Sequence, residues 1–152
     1  MDEDERPASD RAAADATRRR SALASILDKR AEPILSSIVG DAVRTSDFVG
    51  LGPSVATRYV AKARAVLPAC IEALGAPDAH RARILDDNAH VVKELVAEGV
   101  PPSVLRSLTS LGFRAANGIA RDGARTHGFE PDELEDELRS FRRELETRFF
   151  AG

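Results

Sequence analysis

From Ser21 onward the apolar residues of this chain recur three and four positions apart, and the interruptions of that rhythm divide it into amphipathic helices. Leu23, Ile26, Leu27, Ile34, Leu35, Ile38 and Val39 form the first set. Pro33 lacks a backbone donor and crowds the preceding turn, so it predicts two helical pieces, or one kinked helix, meeting near Glu32. Between Arg44 and Pro53 the cluster Ser46, Asp47, Gly50, Gly52 and Pro53 predicts the longest ordered loop, anchored by Phe48, Val49 and Leu51. A further helix starts at Pro53 or Ser54 and runs to Gly75, with Val55, Tyr59, Ala63, Val66, Cys70 and Leu74 on one stripe and a kink at Pro68. Pro77-Asp78 opens the next and Gly99 stops it, turning Ile84, Leu85, Val91, Val92, Leu95 and Val96 inward.

The run Glu98-Gly99-Val100-Pro101-Pro102-Ser103-Val104-Leu105 ends that helix and begins another, which continues through Gly118 to about Gly123. Arg106, Ser110, Arg114, Asn117 and Arg121 make one narrow polar stripe on it. The apolar remainder wraps roughly 200°, twice the arc that packing on one core requires, so the helix must be covered on two sides. Gly112, Ala115, Ala116 and Ala120 would let a neighbour approach closely. A central helix within one chain and a contact between subunits explain this width equally well.

The last helix opens at Pro131, carries Asp132 and Glu133 at the positive end of its dipole and Arg142, Arg143 and Arg148 toward the negative end. Leu134, Leu138, Phe141, Leu145 and Phe149 form a narrow seam that suits pairing with one helix, in the same chain or in a second copy. The pattern leads us to expect a two-fold homodimer built from residues 102–150. Leu105, Leu108, Gly112, Phe113 and Ala116 would face Leu134, Leu138, Phe141, Leu145 and Phe149 at its contact.

Composition narrows the fold class. The 152 residues suit one domain, and a core of Leu, Val, Ile and Ala with few aromatics and no Trp favours an all-α bundle of about five to seven helices. Residues 1–17 offer little to bury and are expected to be a disordered acidic tail, leaving 18–152 as a single helical domain. The net charge of -3 is interspersed rather than gathered into a basic footprint, so no nucleic-acid partner is expected. Arg18-Arg19-Arg20 is too short to change that and reads as a solvated helix start. The acidic N-terminus has no apolar segment like a signal peptide, and a lone Cys70 cannot form an intramolecular disulfide; a cytoplasmic setting without a membrane partner follows. Cys70 falls near the middle of its helix's apolar stripe and reads as a small core residue.

Candidate chemistry is sparse. Asp86 and His90 stand one helical turn apart, the spacing of a two-ligand metal site or an acid–base pair. The helical wheel, however, places His90 about 170° from the centre of the apolar stripe, facing solvent or a second packing layer. His80 and His127 have no spacing that completes a metal site. No nucleophile with its base, cysteine pair or phosphate loop can be read from the chain, so no catalytic residue, cofactor or metal is assigned. A metal-dependent enzyme built on Asp86 and His90 is the least favoured class.

The run from Val96 to Gly112, VAEGVPPSVLRSLTSLG, resembles the "eGvp, then leucines, then lG" segment of the RsbT co-antagonist (RsbR/RsbRD-type) N-terminal domain, also seen at the front of PucR-like regulators. As a helix order the resemblance covers roughly Ala24 to Phe150. It implies a globin-related helical fold, a dimer, and a sensory role in stress-response signal transduction, passing a signal to an output domain. No output domain follows Gly152, so the expectation becomes a truncated chain or a stand-alone partner protein. The order also looks like the C-terminal half of a globin, which implies the alternative of a haem or bilin sensor or carrier with His90 as axial ligand. His90 lies about one helical turn farther from Pro101 than in the globin pattern, which favours a haem-free module.

Overall fold

A computed structural model describes residues 7–41 and 50–150, and every regular element among them is helical. Residues 1–6 of the expected tail and the expected loop anchors Phe48 and Val49 lie outside the described residues. The α-helices are α1 (Ala8–Lys29), α2 (Ala31–Ser36), α3 (Pro53–Gly75), α4 (Asp78–Ala97), α5 (Pro102–Gly123) and α6 (Pro131–Phe149). A π-helical turn, Ser37–Asp41, follows α2, and a 3-10 turn, Arg125–His127, precedes α6. The all-α expectation holds. No helix among the described residues is long and apolar enough to cross a membrane.

Two boundaries differ from the sequence reading. Helix α1 begins at Ala8, inside the stretch expected to be disordered, because Ala8, Ala12, Ala13, Ala14 and Ala16 are strong helix formers and extend a helix anchored farther on by Ala22, Leu23, Ile26 and Leu27. The first break falls at Arg30 (φ -127, ψ 36) rather than near Glu32. Pro33 then lies in the first turn of α2, where a missing backbone N–H costs nothing. Pro68 sits within the continuous span of α3.

The α4–α5 junction shows what Gly99 is for. Gly99 N–H donates to Val96 O at 3.0 Å and Val100 N–H to Leu95 O at 3.0 Å, the paired bonds of a Schellman cap, with Gly99 at φ 110 where a Cβ would be strained. The reversal buries Val100 beside Leu95 and carries Val96, expected inward, to 39% exposure.

Helices α1, α3, α4 and α6 pack in a ring, α1 on α3, α3 on α4, α4 on α6 and α6 on α1. Helix α5 packs on α6 and α1, and on α2 and the π turn. Its wide apolar surface is therefore covered from both sides by its own chain. The small residues permit that approach: a Cβ on Gly123 would lie 2.9 Å from Ile26 Cγ2, and one on Gly112 would lie 3.0 Å from Ile38 Cγ2.

Candidate functional site

The residues expected at a subunit contact close this chain's own core. Leu105, Leu108 and Ala116 of α5 and Leu134, Leu138, Phe141, Leu145 and Phe149 of α6 are all buried in the single chain. Phe113 and Gly112 are half-buried, with the Phe113 ring 6.3 Å from that of Phe141. The narrow seam of α6 has found its partners among α1, α4 and α5. His90 is exposed on α4, and Asp86 accepts a 2.7 Å hydrogen bond from Arg148 Nη1. Among the described residues no group of three or more His, Cys, Asp or Glu is placed to hold a metal ion.

Burial separates into two clusters. The larger joins α1, α3, α4, α5 and α6 around Leu23, Leu74, Leu85 and Leu134; the smaller gathers Tyr59, Ala63, Leu95, Val100, Val104, Leu105 and Leu108. Where they meet, between α3 and α5, lies a cavity of about 160 Å³. Its wall is almost entirely hydrocarbon, with Val66, Leu67, Leu108, Phe113, Phe141 and Leu145 among its lining residues.

Tyr59, Lys62 and Thr109 reach that wall, and each already has a partner. Tyr59 Oη donates to Ile38 O at 3.0 Å, and burial raises its phenol well above the usual range, so it remains a neutral donor. Lys62 Nζ lies 2.5 Å from Glu94 Oε2, and Thr109 Oγ1 donates to Leu105 O at 2.8 Å. Cys70 is half-buried, and the surface it keeps faces this hydrocarbon space; burial pushes its thiol up to about 12. A maleimide at pH 7 is therefore expected to label Cys70 slowly in the native protein and rapidly in denaturant. Equal rates in the two conditions, followed by mass spectrometry, would contradict this placement.

A second, polar space of about 350 Å³ lies between α5 and α6 on the other side of Phe113 and Leu138, which line both. Ser110, Arg114, Asn117, Glu135, Arg139 and Arg142 complete its wall. Arg142 donates to Ser110 Oγ at 2.7 Å, pairs with Glu146, and lies 5.5 Å over the Phe113 ring. Arg139 pairs with Asp136 at 3.0 Å. Asn117 Nδ2 donates to Glu135 Oε1 at 3.2 Å, while Asn117 Oδ1 is buried and accepts no hydrogen bond. Ser110, Arg114 and Asn117 belong to the stripe that the sequence reading treats simply as the polar face of α5.

Sequence reasoning missed both spaces; the available signal was Ala63 and Ala116, small residues on apolar faces that line the cavity. Comparison of the chain with family models, curated proteins and solved structures yields no match.

Proposed function

We propose that this chain is a non-enzymatic regulatory domain, a helical sensor that takes a small apolar molecule between α3 and α5 and relays its presence to a partner protein or an attached domain. One observation carries this reading: the cavity has a hydrocarbon wall whose Tyr59, Lys62 and Thr109 are committed to partners within the fold. A catalytic site aims charge and hydrogen bonds at a reacting atom, whereas this wall offers a ligand shape and apolar contact. The volume of about 160 Å³ matches cavities of about 150 Å³ that stay dry and accept benzene. The tetrapyrrole alternative fits poorly, because His90 is exposed on α4 and does not line the cavity.

The resemblance of the Val96–Gly112 run to co-antagonist domains supports the sensory role, and a globin-like arrangement and a homodimer belong to the same proposal. With the α6 seam occupied in the chain's own core, such a dimer would use residues outside that seam.

Thermal unfolding with benzene tests the reading. At ten times its dissociation constant, a ligand that binds only the folded state adds about 1.4 kcal/mol, a rise of about 4 °C for a domain of this size. Ala63→Leu, which places a larger side chain in the cavity, is expected to fold and to lose that rise. A wild type whose midpoint does not move with benzene would remove the proposal.

A further inference from the structure

Resting on the reading of the α3–α5 cavity as a ligand site, we infer that its ligand is an amphiphile with a short hydrocarbon tail and a carboxylate head, the tail in the cavity and the head in the polar space between α5 and α6. The two spaces share a wall, since Phe113 and Leu138 line both. Phe113 is the half-buried part of that wall, with the Phe141 ring 6.3 Å away on the core side and the Arg142 guanidinium 5.5 Å over its ring on the polar side. Rotation of that one side chain joins hydrocarbon on one side to hydrogen-bonding groups on the other.

Charge selects the head. Arg114, Arg139 and Arg142 line the polar space against a single carboxylate, Glu135. Arg139 and Arg142 spend part of their capacity on Asp136 and Glu146. Arg114 makes no hydrogen bond or ion pair among the described residues and is free to take an incoming anion. Ser110 Oγ accepts from Arg142, which leaves its own proton to donate to a head-group oxygen. A water between the head and Asn117 would supply the donor that the buried Oδ1 lacks. An ammonium head would meet three guanidiniums, and an uncharged head would leave Arg114 unused. The cavity sets the tail at about the bulk of benzene, roughly six carbons.

Calorimetric titration of the full chain with octanoate, 1-octanol and octylamine tests this assignment, with the benzene thermal shift measured in parallel. Octanoate is expected to bind tightest and octylamine about tenfold more weakly, a difference that shrinks as salt is added. Arg114→Ala should bring octanoate to the affinity of octanol and leave the benzene shift intact, and Arg114→Lys should restore most of the preference. Octanoate binding no better than octanol, or unchanged in Arg114→Ala, would overturn the carboxylate assignment while the benzene response upheld the cavity. Failure of octanoate to bind a protein that still responds to benzene would overturn it as well. Absence of both responses would instead sink the underlying reading of the cavity.

Discussion

Replacing Leu138 and Phe141 together by aspartate is expected to unfold the protein rather than to split a dimer. Both side chains are buried in the single chain, at 4% and 5% exposure, within the larger core cluster. Removing a buried leucine and a buried phenylalanine costs about 2–5 and 3–5 kcal/mol. Each carboxylate must in addition ionise in an apolar surround or hold its proton at the expense of its affinity for water. The side-chain losses alone, about 5–10 kcal/mol, are as large as the roughly 5–15 kcal/mol that stabilises an ordinary domain, before either carboxylate is counted. At neutral pH the double variant should lose its helical circular dichroism, and Leu138→Ala alone should fold with a lowered midpoint. A double variant that kept its helical signal and changed from dimer to monomer by light scattering would place the seam at a subunit contact.

That experiment addresses the point at which periodicity stops being informative. Helix limits were legible because the chemistry that sets them is local: Pro53, Pro102 and Pro131 each stand at a helix start, where their missing N–H is an orphan anyway, and Gly99 supplies the positive φ of a cap. The width of the apolar arc on α5 was legible too, and it foretold cover on two sides. What supplies the cover was not. An arc measures how much surface must be buried but carries no label for the covering element, and here α6 and α1, with α2 and the π turn, do what a second copy could equally have done. The start of α1 escapes periodicity for a related reason: residues 8–17 bury little, but their alanines need no burial of their own once Leu23, Ile26 and Leu27 hold the same helix. Cys70, expected as a small core residue, is instead half-buried against the cavity, a space that one helix's stripe does not foretell. A void is what remains when side chains from α1, α3, α4, α5 and α6 fail to meet, so no single segment encodes it.

Arg81 is another place where segments distant in sequence meet, and its truncation should have the second-largest effect. Only 7% exposed near the start of α4, it donates from Nε to Glu144 Oε2 of α6 at 2.9 Å, from Nη2 to Asp78 Oδ1 at 2.9 Å and from Nη1 to Ala76 O at 3.2 Å. The 78–81 spacing is visible in the sequence as an i,i+3 ion pair; the reach to Glu144 is not. Burial alone would disfavour the guanidinium's charge, and the hydrogen bonds to Asp78 and Glu144 more than offset it, holding Arg81 above its ordinary value. Arg81→Ala therefore removes the clamp that joins the α3–α4 turn to α6 and leaves a partly buried carboxylate and a backbone carbonyl to find water. Discounted for the exposure of Asp78, the loss is about 3 kcal/mol, or about 10 °C in the unfolding midpoint. The hydrogen bond and charge of Arg81, with a smaller contribution from Arg20, hold the Asp78 carboxyl below the usual carboxylate range. Because that folded value lies below the unfolded one, the Asp78 contribution is present at neutral pH and disappears as pH falls through the depressed value. Urea unfolding of wild type and Asp78→Asn should thus differ at pH 7 and draw together as pH falls below the usual carboxylate range. A difference that persisted undiminished in acid would show that the carboxylate charge is not what holds Arg81, and would leave Glu144 and the Ala76 carbonyl as the groups that pin α4 to its neighbours.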